Sequence, residues 1–278
     1  MSSIIQPPKG SAAMRKNLEA EARLVLALAV KDFGLNPDAI ETIIASRDYT
    51  REKTGQPKVV TEDLGKIFEM AICLVYGISF VGKYKYAIEE AQEIKEKIKK
   101  LGDVFPVQLE HTAKSGNKYD FGNADKTKHL SAKTTKKDGK VSPQVIGQPS
   151  RKKFCDFFHL EPTCNLDQIK LYIESNVNKM LESYFTNTFD CPIVYYNKHK
   201  DIRRFITLKE NIKWDDHTIH FSHVTKQKKW NESSSISVNG VTIGEFQIHN
   251  NRDCIKFRWA FEKLLDLFSD NFDIVDLT

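Results

Sequence analysis

The chain has 278 residues, 40% of them hydrophobic and 28% charged, with a formal net charge of +5. These values are typical of globular proteins, and the length allows one large core or a main domain with an appended one. No apolar run approaches the about 18 residues of a membrane-spanning helix. Residues 1–10 lack a hydrophobic segment followed by a cleavage site, so we expect neither a membrane anchor nor a secretory signal.

The cysteines are odd in number and scattered along the chain. Their spacing fits neither a zinc site nor a disulfide framework, which favours a protein of the reducing cytoplasm. They are Cys73, Cys155, Cys164, Cys191 and Cys254.

Apolar residues at helical spacing predict helices along the first part of the chain. Residues 12–33 predict one amphipathic helix, and a shorter one follows residue 36. The strongest helical pattern runs from Thr61 to Tyr76, with Thr61 as N-cap and acidic residues in the first turn. Glu69 falls at the edge of its apolar face, where an acid more often reaches solvent than serves a site.

The stretch 119–135 carries the groups best suited to chemistry. Asp120 ends a short run, a turn follows, and Ser131 and Lys133 lie on the next run. This pattern predicts a two-stranded ribbon with a carboxylate and an ammonium group at its open end. Such a pair suits a divalent metal, which needs an oxygen anion, and a phosphate or an attacking water, which needs a cation.

Two glutamines, Gln144 and Gln148, follow this ribbon at a spacing of four residues. Pro143 suits the first turn of a helix and Pro149 suits its end. We therefore expect a short helix here that presents both glutamines on one face, toward the site.

Basic residues cluster around these elements. Between residues 114 and 153 there are eleven Lys or Arg against three Asp, and between residues 198 and 229 nine basic residues against four acidic ones. Such segments predict a surface that binds a polyanion, although two solvated lysine-rich surfaces would give the same counts. The residues expected to hold a phosphate backbone are Lys136, Lys137, Arg151, Lys152 and Lys153.

The composition changes at residue 186, after a further amphipathic helix predicted over residues 166–185. Short alternating segments then predict strands, and Asn239-Gly240 predicts a tight hairpin. The segment after this hairpin is dense in side chains that read base edges, because amides pair with adenine, and Arg or Lys with guanine. Phe257 and Trp259 within it are expected in the core. The expected base readers are among Gln247, His249, Asn250, Asn251, Arg252, Lys256 and Arg258.

Three kinds of chemistry fit Asp120 and Lys133. The first is a metal-dependent phosphodiesterase, in which Asp120 binds the metal and Lys133 orients water or phosphate. The second is a binding protein in which the two side chains merely pair. The third is a hydrolase that uses one of the eight histidines, but the chain has no HExxH, GxSxG or GK(S/T) motif to support it.

The order of these elements resembles the PD-(D/E)xK nuclease core of type II restriction endonucleases. The acidic helix 62–76, then Tyr119-Asp120, then Ser131-Ala132-Lys133 follow the family's order, over roughly residues 61–149. Residues 244–259 are similar to the specificity regions of that family. The resemblance implies that Asp120 is the motif Asp and that Lys133 is the motif Lys.

The same resemblance bears on three further residues. It implies that Glu69, or less well Glu62, is the helix acid that some members add to the site. Gln144 and Gln148 resemble glutamines that follow the motif Lys in several branches of the family.

Ser131 departs from the family pattern, which has Asp or Glu at this position, and Tyr119 replaces the motif Pro. A serine hydroxyl is a poor metal ligand, so one carboxylate of the expected pair is missing. Glu69 or Asp125 could supply it, Ser131 could hold a metal-bound water, or the chain could cleave poorly. We favour Glu69. The predicted catalytic residues are therefore Asp120, Lys133, Ser131 and Glu69, with Asp120 and Glu69 as ligands of Mg²⁺.

The resemblance implies an α/β fold with a mixed central sheet flanked by helices and a β-rich C-terminal recognition region. We expect an N-terminal helical region over residues 1–60, a catalytic core over 61–185 and the recognition region over 186–278. The implied activity is Mg²⁺-dependent hydrolysis of duplex DNA at a short recognition site. The alternatives are a non-catalytic, sequence-specific DNA-binding protein and, third, a structural interaction protein.

The resemblance also implies the cellular context. The expected partner is double-stranded DNA, with no membrane association. A homodimer is possible, and a DNA methyltransferase of the same specificity would act in the same prokaryotic cytoplasm.

Overall fold

The structure is a computed structural model that describes residues 61–113, 117–136 and 139–278, and only the backbone of residues 61 and 62. These residues belong to one compact unit. The two helices predicted before residue 61 lie outside the described residues, as does Lys137. Among the described helices, none has the length and apolar character that crossing a bilayer requires.

The first described helix, α1 (Thr61–Tyr76), confirms the strongest helical pattern of the sequence. Leu64, Phe68 and Ile72 are completely buried along one side of it, as their spacing of three to four residues requires. Helix α2 (Ile88–Lys97) packs beside α1 and is followed by the short helix α3 (Leu101–Val104).

A six-stranded mixed sheet lies against α1. The strand order is β1-β2-β3-β5-β6-β11; β3 and β5 run parallel, and every other neighbouring pair is antiparallel. The strands are β1 (Glu110–His111), β2 (Phe121–Gly122), β3 (His129–Thr135), β5 (Ile193–Asn197), β6 (Ile202–Leu208) and β11 (Phe272–Asp276).

Side chains of β3 alternate between the two faces of this sheet. Leu130 and Ala132 pack in the hydrophobic cluster that contains the apolar side of α1. Ser131 and Lys133 therefore lie on the opposite face, where the partner of Lys133 on β5 is Tyr195.

A second, antiparallel sheet has the strand order β4-β10-β9-β8-β7. The predicted hairpin at Asn239-Gly240 is confirmed: it joins β8 to β9, and both turn residues have positive φ (49° and 77°), as a type I′ turn requires. The strands are β4 (Lys140–Val141), β7 (His220–Phe221), β8 (Ser233–Val238), β9 (Val241–Ile248) and β10 (Ile255–Ala260).

The remaining helices pack between and around the two sheets. The single helix predicted over residues 166–185 is wrong in one respect, because Asn176 leaves helical geometry (φ −128°, ψ 21°) and divides it in two. The helices are α4 (Arg151–Phe158), α5 (Leu166–Ser175), α6 (Val177–Thr186), α7 (Ser222–Thr225) and α8 (Phe261–Leu267).

One hydrophobic core joins the two sheets. It combines Tyr195 of the first sheet, Tyr184 of α6 and the inner face of the second sheet. Tyr184 stacks on Phe257 of β10 with ring centroids 4.4 Å apart. Phe257 and Trp259 are fully buried, as expected. The predicted α/β class is confirmed, and residues after 186 contribute strands to both sheets.

We predict that Gly244→Ala destabilises the fold. A Cβ at this position would lie 2.9 Å from two ring carbons of Phe257 and 3.2 Å from the carbonyl oxygen of Arg258. Overpacking of this kind costs about 1–3 kcal/mol, measurable as a lower midpoint in urea unfolding. The matched control is Gly102→Ala in α3, where the nearest atom would be Val75 Cγ1 at 3.7 Å. A Gly244→Ala protein as stable as this control would contradict the packing described.

Candidate active site

The carboxylate of Asp120 is fixed to β3. Its Oδ2 accepts a hydrogen bond from the backbone N–H of Ala132 (2.8 Å) and another from the hydroxyl of Ser131 (3.1 Å). Phe121 pairs with Leu130 in the antiparallel ribbon, so the residue before Phe121 reaches the residues after Leu130. The ribbon that the sequence predicted is therefore present, with its carboxylate held at one end.

Ser131 uses its hydroxyl within the site. The side chain is completely buried, donates to Asp120 and accepts a hydrogen bond from Nε2 of Gln144. The structure thus gives Ser131 the role of orienting Asp120. The Oε1 atom of Gln144 is buried without a hydrogen-bond partner among the described residues.

Lys133 lies two residues further along the same face. In the part of the chain that the structure describes, its ammonium group takes part in no hydrogen bond or ion pair. Its charge nevertheless acts on the thiol of Cys191, which also lies within electrostatic reach of Asp120. Asp120 and Lys133 therefore both lie within electrostatic reach of one half-buried thiol, and the ammonium group is available to an anion.

Asp190 and Cys191, just before β5, were missed by the sequence reasoning. Oδ2 of Asp190 accepts hydrogen bonds from the Tyr119 hydroxyl (2.9 Å) and from the Lys118 ammonium. Burial and the charge of Asp190 raise the pKa of the Cys191 thiol to about 12, although Lys133 opposes the shift. The pairing of β3 with a strand so distant in sequence leaves no local signal that could have revealed these residues.

Glu69 is not brought to this cluster. Its Oε2 lies 3.1 Å from Nε2 of His111 and 2.7 Å from Nζ of Lys66. His111 pairs with Phe121, and both side chains lie on the face of the sheet that α1 covers. Asp120 precedes Phe121 and points to the other face, so the sheet separates it from Glu69.

Asp125 lies in the exposed turn between β2 and β3. Hydrogen bonds from the hydroxyl and backbone N–H of Thr127 hold the pKa of its carboxyl below the usual range. These bonds shape the turn, and in the described structure none joins Asp125 to Asp120.

The short helix predicted across Pro143 and Pro149 is wrong. Residues 144–146 form a turn and residues 147–148 a bend, and Gly147 packs so closely that a Cβ there would lie 2.8 Å from Ser142 Cβ. The two glutamines diverge as a result. Gln144 is buried against Ser131, whereas Gln148 is exposed beside Cys254.

The expected phosphate-binding residues after this turn lie at the start of α4. Ser150 caps the helix by accepting from the N–H of Lys153. Arg151 and Lys152 are exposed and pair only at the surface, Arg151 with Asp253 (4.0 Å) and Lys152 with Asp156 (2.9 Å). Lys136 is partly exposed at the end of β3.

The outer face of the second sheet gathers three of the expected base readers. Gln247 of β9 pairs with Lys256 of β10, and Arg258 pairs with Glu245. Glu245, which the sequence reasoning missed, accepts from Lys140 (2.7 Å), Gln247 (3.1 Å) and Arg258 (3.2 Å). Burial opposes its ionisation, but the hydrogen bonds from Lys140 and Gln247 outweigh this effect, so its pKa is lowered.

The other expected base readers occupy the turn between β9 and β10. Asn250, Asn251 and Arg252 are exposed there, and His249 lies 3.1 Å from the carboxylate of Glu232. This turn and the outer face of the second sheet together present amides, cations and the carboxylates paired with them, Glu232 and Glu245.

A divalent metal can be accommodated at Asp120. Within the described residues no three His, Cys, Asp or Glu side chains form a ready metal cage. Mg²⁺, however, is usually held by one or two carboxylates together with water and substrate phosphates. The Oδ1 atom of Asp120 accepts no hydrogen bond from the described residues, and the unpartnered Oε1 of Gln144 suits a metal-bound water. The donor set therefore fits this kind of ion.

One comparison with known proteins supports the resemblance to a type II restriction endonuclease. The chain is 46% identical over 229 residues to a protein named type II restriction enzyme CviAII, from Paramecium bursaria Chlorella virus 1. The match covers 82% of this chain and 66% of that relative, just under two thirds of its length. No family model and no solved structure matches the chain.

We predict that Glu245→Gln destabilises the protein in a pH-dependent way. The lowered pKa means that the folded state favours the ionised carboxylate. This stabilisation is present above the ordinary glutamate pKa of about 4.3, and it is lost as the pH falls through the lower pKa of the folded state. The loss should be roughly 1–2 kcal/mol at pH 7 and should shrink below pH ~5 in urea unfolding.

The control for this measurement is Glu182→Gln, which alters an exposed carboxylate of α6. A Glu245→Gln deficit that stayed constant from pH 7 down to pH ~3 would show that the three hydrogen bonds do not depend on the charge.

Proposed function

We propose that this protein is a site-specific endonuclease that hydrolyses phosphodiester bonds in double-stranded DNA as part of a restriction-modification system. The observation that carries the proposal is the 46% identity over 229 residues to a protein named as a type II restriction enzyme. The position of Asp120, Lys133 and Gln144 on one face of a mixed sheet supports it, because these groups suit the hydrolysis of a phosphate ester.

Each side chain of the cluster has a task in this reaction. Asp120, oriented by Ser131 and the N–H of Ala132, would hold Mg²⁺. The ion, when bound, supplies a Lewis acid that stabilises negative charge on the phosphate. Lys133 would hold a phosphate oxygen or orient the attacking water. Gln144 fixes Ser131, and its buried, unpartnered Oε1 would accept a hydrogen bond from a water molecule in the site.

The second carboxylate of the site is better assigned to Asp190 than to Glu69. Asp190 acts on the same thiol as Asp120 and Lys133. Glu69 is bound to His111 on the opposite face of the sheet. We therefore propose a restriction-endonuclease-like fold of the PD-(D/E)xK type, in which Ser131 replaces the motif acid and Asp190 supplies the missing charge.

The DNA would lie across the polar surface of the second sheet. Gln247, Lys256 and Arg258 project from its outer face, and the turn that contains His249 extends it. Arg151 and Lys152 would contact the phosphate backbone. We further propose that the protein is cytoplasmic, forms a homodimer and acts together with a DNA methyltransferase of the same specificity.

A second function, sequence-specific DNA binding without cleavage, is favoured by one observation. Ser131 fills the position of a metal-binding acid, and its hydroxyl is already occupied by Asp120 and Gln144. The two functions differ in what happens to plasmid DNA incubated with the protein and Mg²⁺, with and without EDTA. Discrete fragments mean site-specific cleavage, a smear means nonspecific cleavage, and intact but retarded DNA means a binding protein.

We predict that Asp120→Ala and Lys133→Ala each reduce cleavage by about a hundred- to a thousandfold while DNA binding is retained. The reason is that both side chains would act on the reacting phosphate, whereas most contacts that hold the duplex would come from the polar surface of the second sheet. Plasmid cleavage and gel retardation measure the two properties separately. Asp266→Ala, at an exposed position of α8, is the matched control. Cleavage at the parent rate by either variant would refute the assignment of that residue.

We predict that Asp190→Asn impairs cleavage and that Glu69→Gln mainly lowers stability. Asp190 lies with the catalytic cluster, whereas Glu69 accepts hydrogen bonds from Lys66 and can pair with His111 away from it. Cleavage rates and urea unfolding of both variants, measured side by side, test this prediction. The opposite result, an inactive but fully stable Glu69→Gln protein, would restore Glu69 as the metal ligand.

A further inference from the structure

Val145 has an unusual backbone conformation next to the candidate active site. Its φ is +60°, a region that β-branched residues rarely occupy. The N–H of Ile146 bonds to the carbonyl oxygen of Gln144 and closes a three-residue turn around Val145. A turn of this hand is strained, and strain in the backbone is found most often at functional sites.

The neighbours of Val145 force this conformation. Gln144 is tied through its side chain to Ser131. Ile146 is buried in the core between the sheets. Gly147 has no room for a side chain, and its carbonyl oxygen accepts from the N–H of Phe257 on β10 (2.9 Å). Because Gln144 and Ile146 are both held in place, Val145 between them is pushed outward.

The side chain of Val145 buries little apolar surface in this arrangement. It is 70% exposed, more than the other large hydrophobic residues of the described structure. Glycine or asparagine would occupy the same turn with less strain. The stability of the turn therefore does not explain why a valine occupies this position. Contact between its side chain and a bound molecule would explain it.

We propose that Val145 makes an apolar contact with a base of the DNA that is held at Asp120 and Lys133. This inference rests on the proposed function. The residue next to Val145 is hydrogen-bonded inside the catalytic cluster, so a duplex seated there covers the turn. Apolar side chains contact DNA in two ways, by packing on the methyl group of thymine or by wedging between base pairs.

The first test compares Val145→Asn with Val224→Asn, since Val224 is also exposed (61%) but lies on α7. Val145→Asn should keep or raise the melting temperature, because the strain is relieved, and should lower kcat/KM for duplex DNA at least tenfold. Val145→Gly should lower kcat/KM to a similar extent. Val224→Asn should cleave like the parent. A parallel loss of melting temperature and activity in both Val145 variants would overturn the proposal in favour of a structural role.

The second test measures DNA binding in the Asp120→Ala background, with and without Val145→Asn. We expect about tenfold weaker binding with the second substitution. A rise in 2-aminopurine fluorescence at one base step, lost with Val145→Asn, identifies a wedge. Weaker binding when uracil replaces thymine, again only with Val145 present, identifies a methyl contact. If Val145→Asn leaves the affinity for DNA unchanged, the proposal is wrong. It is also wrong if the substitution changes only the association of the protein with itself. If the parent protein neither binds nor cleaves DNA, the proposed function fails as well.

Discussion

The parallel pairing of β3 with β5 is the interaction on which the candidate site depends. It sets Lys133 beside Tyr195 and brings the residues before β5 to the level of Ser131. Asp190 and Cys191 come to the cluster by this route alone. The long connection between the two strands also contains the turn from which Gln144 reaches Ser131. Asp190, Cys191 and Gln144 therefore depend on the pairing of two strands that are far apart in the chain, whereas the local β2–β3 ribbon positions Asp120.

Ser131 brings an uncharged hydroxyl to the candidate site. The hydroxyl still holds Asp120 in place, together with the N–H of Ala132. The carboxylates of Asp120 and Asp190 both act on Cys191, and Asp190 lies just before β5, an inner strand of the first sheet. The buried Glu69–His111 contact, on the other face, connects α1 to β1.

The candidate site and the polar outer face of the second sheet are joined by a short covalent and hydrogen-bonded path. The turn that contains Gln144 is fixed to β10 by the bond from the Phe257 N–H to the Gly147 carbonyl oxygen. The next residue of β10 is Arg258, which donates to Glu245 on the outer face. β10 is therefore linked directly to the turn whose Gln144 contacts Ser131.

The sequence by itself determined the features that local chemistry controls. The spacing of apolar residues defined α1, Asn239-Gly240 defined its hairpin, and the short ribbon placed Asp120 near Ser131, because each depends on neighbours in the chain. Tertiary structure decided the rest. Close packing at Gly147 replaced the predicted helix by strained turns, and the alternation of side chains across the sheet placed Glu69 on the wrong face to complement Asp120. Partners of these kinds are chosen by strand register and steric fit between distant segments, which residue spacing does not encode.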